Sequence, residues 1–193
     1  MRKTGIFGGS FNPIHNGHIN LARQLLDVVG LDDVWFVVSP HNPLKDVEGL
    51  AADDIRLQMA QEALENEPNM QASDFEFKLS RPSYMYHTLQ ALKDKYPHRE
   101  FYLLIGADNW ACFDKWYAHD EIVSNYNIVV YPRKGTDVNT QHLPDRVRIV
   151  KTELYDISST QIREYVSKGQ SFENLVPSCV ARIIRENNLY KQL

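Results

Sequence analysis

The chain has 193 residues, long enough for one α/β domain with a well-buried core, and its 43% hydrophobic and 24% charged residues are ordinary for a globular protein. A net charge of −4 gives no basic footprint for nucleic acid, so an anionic ligand must be drawn in by local charges. Two cysteines, Cys112 and Cys179, match no zinc spacing and are too few for a disulfide framework, which points to a reducing cytoplasm; no apolar stretch approaches a membrane span, and the opening "MRKTGIFGGSF" does not read as a signal peptide.

Strands alternate with helices along the chain. "TGIF" (4–7) reads as a short buried strand. "HINLARQLLDVVG" carries Ile19, Leu21, Leu25, Leu26 and Val29 at helical spacing, with Gly30 as the stop. "DVWFVVSP" (33–40) is a strand ended by Pro40, and "HNPLKDVEG" is a polar loop. "ADDIRLQMAQEALEN" is a helix with Asp53 and Asp54 near its positive end. The alternation in "SDFEF" (73–77) predicts a strand, and "RPSYMYHTLQALKDKY" a helix with Pro82 and Ser83 near its start. "EFYLLIG" (100–106), "NIVVYPR" (127–133) and "RVRIVKTEL" (146–154) are further strands. "SSTQIREYVSKG" and "VPSCVARIIRENNLY" are two closing helices. This order predicts a doubly wound, Rossmann-like parallel sheet with helices on both faces. It forms one domain over 1–193, with the helices from residue 158 onward packed on the core.

"GGSFNPIHNGH" (8–18) lies between the first strand and the first helix, where ligands bind in open parallel sheets. The turn brings backbone close to a ligand, and a helix starting near Asn16 or Gly17 offers free N–H groups. His18 falls in its first turn and His15 just before it. Both can donate to phosphate oxygens, and a phosphate favours their charged forms. There is no Gly-x-Gly-x-x-Gly and no Gly-Lys-Ser/Thr, so neither a dinucleotide redox site nor a P-loop is indicated. A tight turn with two surface histidines explains the stretch as well. Two histidines three apart can also bind a metal, but no third ligand is evident, and no protein metal site is predicted.

"ISSTQIR" (157–163) opens the penultimate helix. Ser158 and Gln161 fit a capping box. That leaves Ser159, Thr160 and Arg163 unexplained, and hydroxyls in a first turn with an arginine one turn on can converge on an anion. Two helix N-termini from opposite ends of the chain can therefore grip one polyphosphate.

With these two motifs together, the chain resembles the bacterial nicotinate mononucleotide adenylyltransferases of the HxGH nucleotidyltransferase superfamily. "PSY" at 82–84, "GADNWACFDKW" at 106–116 and the closing "VPSCVARIIRENNLY" extend the likeness over nearly the whole chain in the expected order. The family usually has Asp at Asn12, Thr at Met85 and Asp at His87. The resemblance implies adenylyl transfer from ATP to nicotinate mononucleotide, with Mg²⁺ carried mainly by the ATP phosphates. It implies catalytic roles for His15, His18 and Arg163. Gly9, Ser10, Phe11, Gly106, Asp108, Ile157, Ser158, Ser159 and Thr160 are implied to bind ATP. Lys45, Tyr84, Met85, Trp116, Tyr117 and Arg133 are implied to bind the mononucleotide. A related adenylyltransferase acting on nicotinamide mononucleotide or on phosphopantetheine is the alternative; the phosphopantetheine enzymes share the histidine motif but lack "PSY" and "DNW…W", cytidylyltransferases carry a different distal motif, and a non-catalytic nucleotide-binding module is the remote reading. The sequence leaves the oligomeric state open.

Overall fold

The computed structural model describes residues 1–40, 49–136 and 142–191. Its strands are β1 (Arg2–Gly9), β2 (Asp33–Val38), β3 (Met70–Ser73), β4 (Arg99–Gly106), β5 (Asn127–Tyr131) and β6 (Val147–Ile149). All pair in parallel, in the order β3-β2-β1-β4-β5-β6. The strand order reverses between β1 and β4, and a crevice opens there past their C-terminal ends.

The helices are α1 (Asn16–Val29), α2 (Asp53–Leu64), α3 (Met85–Lys95), α4 (Ala107–Trp110), α5 (His119–Asn125), α6 (Ser159–Ser167) and α7 (Ser178–Glu186). The strands are apolar on both sides because both sides are covered. Phe7, Val34, Phe36, Leu104 and Val129 face one core, into which Leu25 of α1, Met59 of α2, Ile162 of α6 and Ile184 of α7 pack. Ile6, Trp35, Leu103, Ile128 and Val130 face the other, against Leu89 of α3 and Ile122 of α5. Gly30, at φ 75°, takes the left-handed conformation that ends α1.

Three expectations need correction. "SDFEF" is not a strand: β3 ends at Ser73, whose Oγ accepts the N–H of Phe75, and Phe75–Lys78 forms a 3₁₀ turn. The inward pull is polar as well as apolar, since Glu76 is drawn into the interior with Phe75. The strand expected over 146–154 covers only Val147–Ile149. Finally, Pro82 and Ser83 precede α3, and Tyr84 is its N-cap.

Candidate active site

The stretch after β1 is built by packing. Phe11 sits at φ 45°, in the left-handed region that a non-glycine residue adopts at a cost of order 1–3 kcal/mol. Its buried ring packs edge-on to Phe7 at 5.8 Å and to His18 at 5.2 Å, and against Phe36 at 5.4 Å, which offsets that cost. The next residue, Asn12, fastens the turn. Its Nδ2 donates to Gly49 O at 2.9 Å, while its Oδ1 accepts the Ala51 N–H and the Tyr190 hydroxyl at 2.7 Å. A carboxylate at this position would lack the donor for Gly49, so the amide accounts for Asn12 where the family usually has Asp.

Behind the turn lies Arg56, fully buried. It donates to the carbonyls of Ser10, Ser39, Pro40 and Ala51 and pairs with Asp53 at 2.6 Å. It was not expected from the sequence, although its place one turn before Met59 and Ala60 on the buried stripe of α2 signals it.

His15 is the N-cap of α1 and is 3% exposed. Its ring stacks on His18 with centroids 3.6 Å apart and a 21° interplanar angle. The His15 N–H donates to His18 Nδ1 at 3.3 Å, which leaves Nε2–H as the donor of the neutral His18 ring. His15 Nδ1 is buried without a hydrogen-bond partner. Burial, then the nearby Arg133 charge, holds the His15 pKa down to about 3. Two stacked imidazolium charges would repel by about 4 kcal/mol near a protein surface, so a nearby anion would favour protonation of the pair.

The N-terminus of α6 closes the site from the far end of the chain. Ser158 caps it, accepting the Gln161 N–H at 3.1 Å. The reciprocal half of the expected capping box is absent, because the Gln161 side chain turns to Tyr165 Oη at 3.3 Å. Ser159 Oγ donates to Pro13 O at 2.9 Å, and Arg163 Nη1 donates to Asn12 O at 2.9 Å. Arg163 Nη2 also reaches Thr160 Oγ1 at 3.2 Å.

A cleft of about 480 Å³ results. It is lined by His15, His18, Gly9, Ser10, Phe11, Asp108, Ile157, Ser158, Ser159, Thr160, Arg163 and Arg133. An adjoining hollow shares His15, His18, Asp108 and Arg133 and extends to Lys134, Tyr155 and Gln161. Gly106 caps α4 beside the cleft, where a Cβ would stand only 2.3 Å from Asp108 Oδ1; glycine lets that carboxylate fold back toward Arg133 Nε, 3.8 Å away. No side chain caps the N-terminus of α4, whose N-cap is Gly106.

The other expected residues gather at a second place. Tyr84 and Tyr117 lie face to face, centroids 4.8 Å apart at 31°, with the exposed His87 ring 5.2 Å from Tyr117. Trp116 packs on Phe113 at 5.1 Å, and its Nε1 is buried without a partner. Met85 bridges the two places: a Cβ on Gly8, which lines the cleft, would stand 2.6 Å from Met85 Cε. Arg133 sits with the histidines rather than with this aromatic group. Lys45 lies outside the described residues.

No group of three or more His, Cys, Asp or Glu able to hold a metal occurs among the described residues. Asp108 is the one acidic side chain among those lining the larger cleft. Histidines, hydroxyls and arginines are donors to phosphate, so this set fits a divalent cation brought in by a ligand's phosphates.

A parallel sheet with a cleft at its switch point, lined by hydrogen-bond donors and flanked by two helix N-termini, is the arrangement of a nucleotide-handling α/β protein. The profile of the cytidylyltransferase-like family matches residues 6–165. A protein of Bacteroides fragilis named probable nicotinate-nucleotide adenylyltransferase is 49% identical over 96% of this chain and 93% of its own. One of the same name from Flavobacterium johnsoniae is 40% identical over 98% of this chain and 100% of its own. The fold matches that of a Plasmodium falciparum nicotinic acid mononucleotide adenylyltransferase solved with NaAD, with a TM-score of 0.83 at 18% identity over 98% of each chain. The chain belongs to the cytidylyltransferase-like family and, within it, to the nicotinate-nucleotide adenylyltransferases.

Proposed function

We infer that this enzyme transfers the adenylyl group of ATP to nicotinate mononucleotide, a step of NAD biosynthesis. A phosphate oxygen of the mononucleotide attacks the α-phosphorus of ATP. The bond from that phosphorus to the bridging oxygen breaks, and pyrophosphate leaves with the electron pair. The product is nicotinate adenine dinucleotide. The attacking phosphate is already ionised at neutral pH, so neither a protein nucleophile nor a strong base is required. Catalysis reduces to alignment and to stabilising the charge that develops on the phosphates.

The observation that carries this reading is the joining of the two motifs at one cleft, through Ser159 to Pro13 and Arg163 to Asn12. In it, His15, His18 and Arg163 serve as donors to the ATP phosphates. Gly9, Ser10, Phe11 and the 157–160 segment shape their seat, and Gly106 and Asp108 receive the ribose. A phosphate beside His15 supplies the counter-charge that burial withholds, so the ring takes up its proton with the ligand. Tyr84, Met85, Trp116 and Tyr117 receive the mononucleotide. His15, His18 and Arg163 would receive Mg²⁺ together with the ATP phosphates that carry it, and the cation would supply charge neutralisation at the pyrophosphate. No helix among the described residues is long and apolar enough to cross a membrane. Cys112 and Cys179 are free thiols, which supports a cytoplasmic setting.

The test is pyrophosphate release from ATP and Mg²⁺ with a panel of acceptors. Release with nicotinate mononucleotide is expected. Release only with phosphopantetheine would assign a sister activity, and none with any acceptor would leave a binding module.

A further inference from the structure

We propose that Glu76 is a positioning residue for the acceptor side of the site, fixing the Ser83–Met85 segment against the phosphate-binding turn. The proposal rests on the reading that this segment receives the mononucleotide.

Glu76 is 1% exposed. Among the described residues, its carboxyl oxygens are met by hydroxyls from three parts of the chain. Oε2 accepts from Ser39, just past β2, and from Ser83 at 2.7 Å; Oε1 accepts from Thr88, in the first turn of α3, at 2.9 Å. Burying a carboxyl group is costly, and an apolar side chain of similar size would hold the core without that cost. Packing alone therefore does not account for a glutamate here.

The three hydroxyls do account for it. Ser83 and Thr88 flank Tyr84 and Met85, so one carboxylate holds both ends of the segment that opens α3. Ser39 extends the link to the other half of the site. Its N–H donates to Gly9 O at 2.9 Å, and its carbonyl accepts from Arg56 Nη1 at 2.8 Å. The same Arg56 nitrogen donates to Ser10 O. Glu76 thus reaches Gly9 and Ser10 through one serine, while Met85 touches Gly8 directly. Attack on a phosphorus tolerates little misplacement of the incoming oxygen, so the spacing between the two halves is what this carboxylate sets.

Steady-state kinetics with ATP and nicotinate mononucleotide, read beside Tm, test this. Glu76→Gln should raise the KM for the mononucleotide about tenfold and leave the KM for ATP within about twofold. Thr88→Val, which keeps the shape and removes the hydroxyl, should move the same constant in the same direction; Thr88→Ser should restore it. If Glu76→Gln does not fold, the Thr88 pair and Ser83→Ala decide by the same split. An unchanged mononucleotide KM in these variants, or parallel shifts of both constants, would overturn the proposal. A wild-type enzyme that transfers nothing to nicotinate mononucleotide overturns the functional reading as well, so the two failures are told apart.

Discussion

His15 and His18 share a stacked geometry but not an environment. His18 is partly exposed, lines both hollows and keeps Nε2–H as its donor. Removing it in His18→Ala should lower kcat by about 10²–10³-fold, as for loss of one donor aimed at developing charge. Turnover within a few-fold of wild type, by pyrophosphate release, would contradict that role. His15 makes a different prediction, in the free enzyme. Its folded pKa, about 3, lies below the ordinary histidine value of 6.5, so between these values the unfolded chain binds the extra proton. Stability from this group is therefore present above pH 6.5 and is lost as pH falls toward 3. His15→Asn should remove a slope approaching about 1.4 kcal/mol per pH unit in that window, seen in urea melts at several pH values. Saturating ATP should also flatten the slope, because the ligand raises the same pKa.

At the scale of elements, the polar fastenings carry the cost of error. Arg56 lies inside α2 with no exposed atom area, and its partners are carbonyls from the phosphate turn and from the end of β2. Arg56→Ala would leave those carbonyls without their donor, at about 1–3 kcal/mol for each buried group left unpaired, while Asp53 keeps its pairing with Arg81. The check is the free energy of unfolding, with ATP binding measured on whatever remains folded. Most elements are legible in the sequence because their burial is apolar and periodic, as in α1 and β4. The parallel order follows from their alternation. The convergence of the two motifs on one cleft is legible too, since most of its residues lie in short-range motifs at two helix starts. What escapes is set by polar burial. Phe75 and Phe77 alternate as in a strand, but Glu76 between them turns inward to the hydroxyls of Ser39, Ser83 and Thr88, which come from other elements and loops. Arg56 and Asn12 likewise show their purpose only through partners that no local pattern names. Of the proposed acceptor group, the motifs indicate Tyr84, Met85, Trp116 and Tyr117; the meeting of Tyr84 with Tyr117 depends on how α3 and the segment before α5 pack.

For the molecule as a whole, the two ends of the chain meet at one residue. Tyr190, whose phenol burial keeps protonated against the pull of Arg163 and Arg56, donates to Asn12, which also accepts Arg163 at its carbonyl. Tyr190→Phe should cost about 1 kcal/mol of stability. It should also raise the KM for ATP several-fold while leaving that for the mononucleotide near wild type, because the lost bond lies on the phosphate side. Equal shifts of both constants would instead mean general loosening. This closure also bears on how the protein is made. The turn around Asn12 is synthesised before its partner, and the hydroxyl that completes it stands 178 positions later. A chain growing on the ribosome thus carries the first half of the nucleotide grip long before the second exists, and ATP can help complete folding only once Tyr190 has emerged.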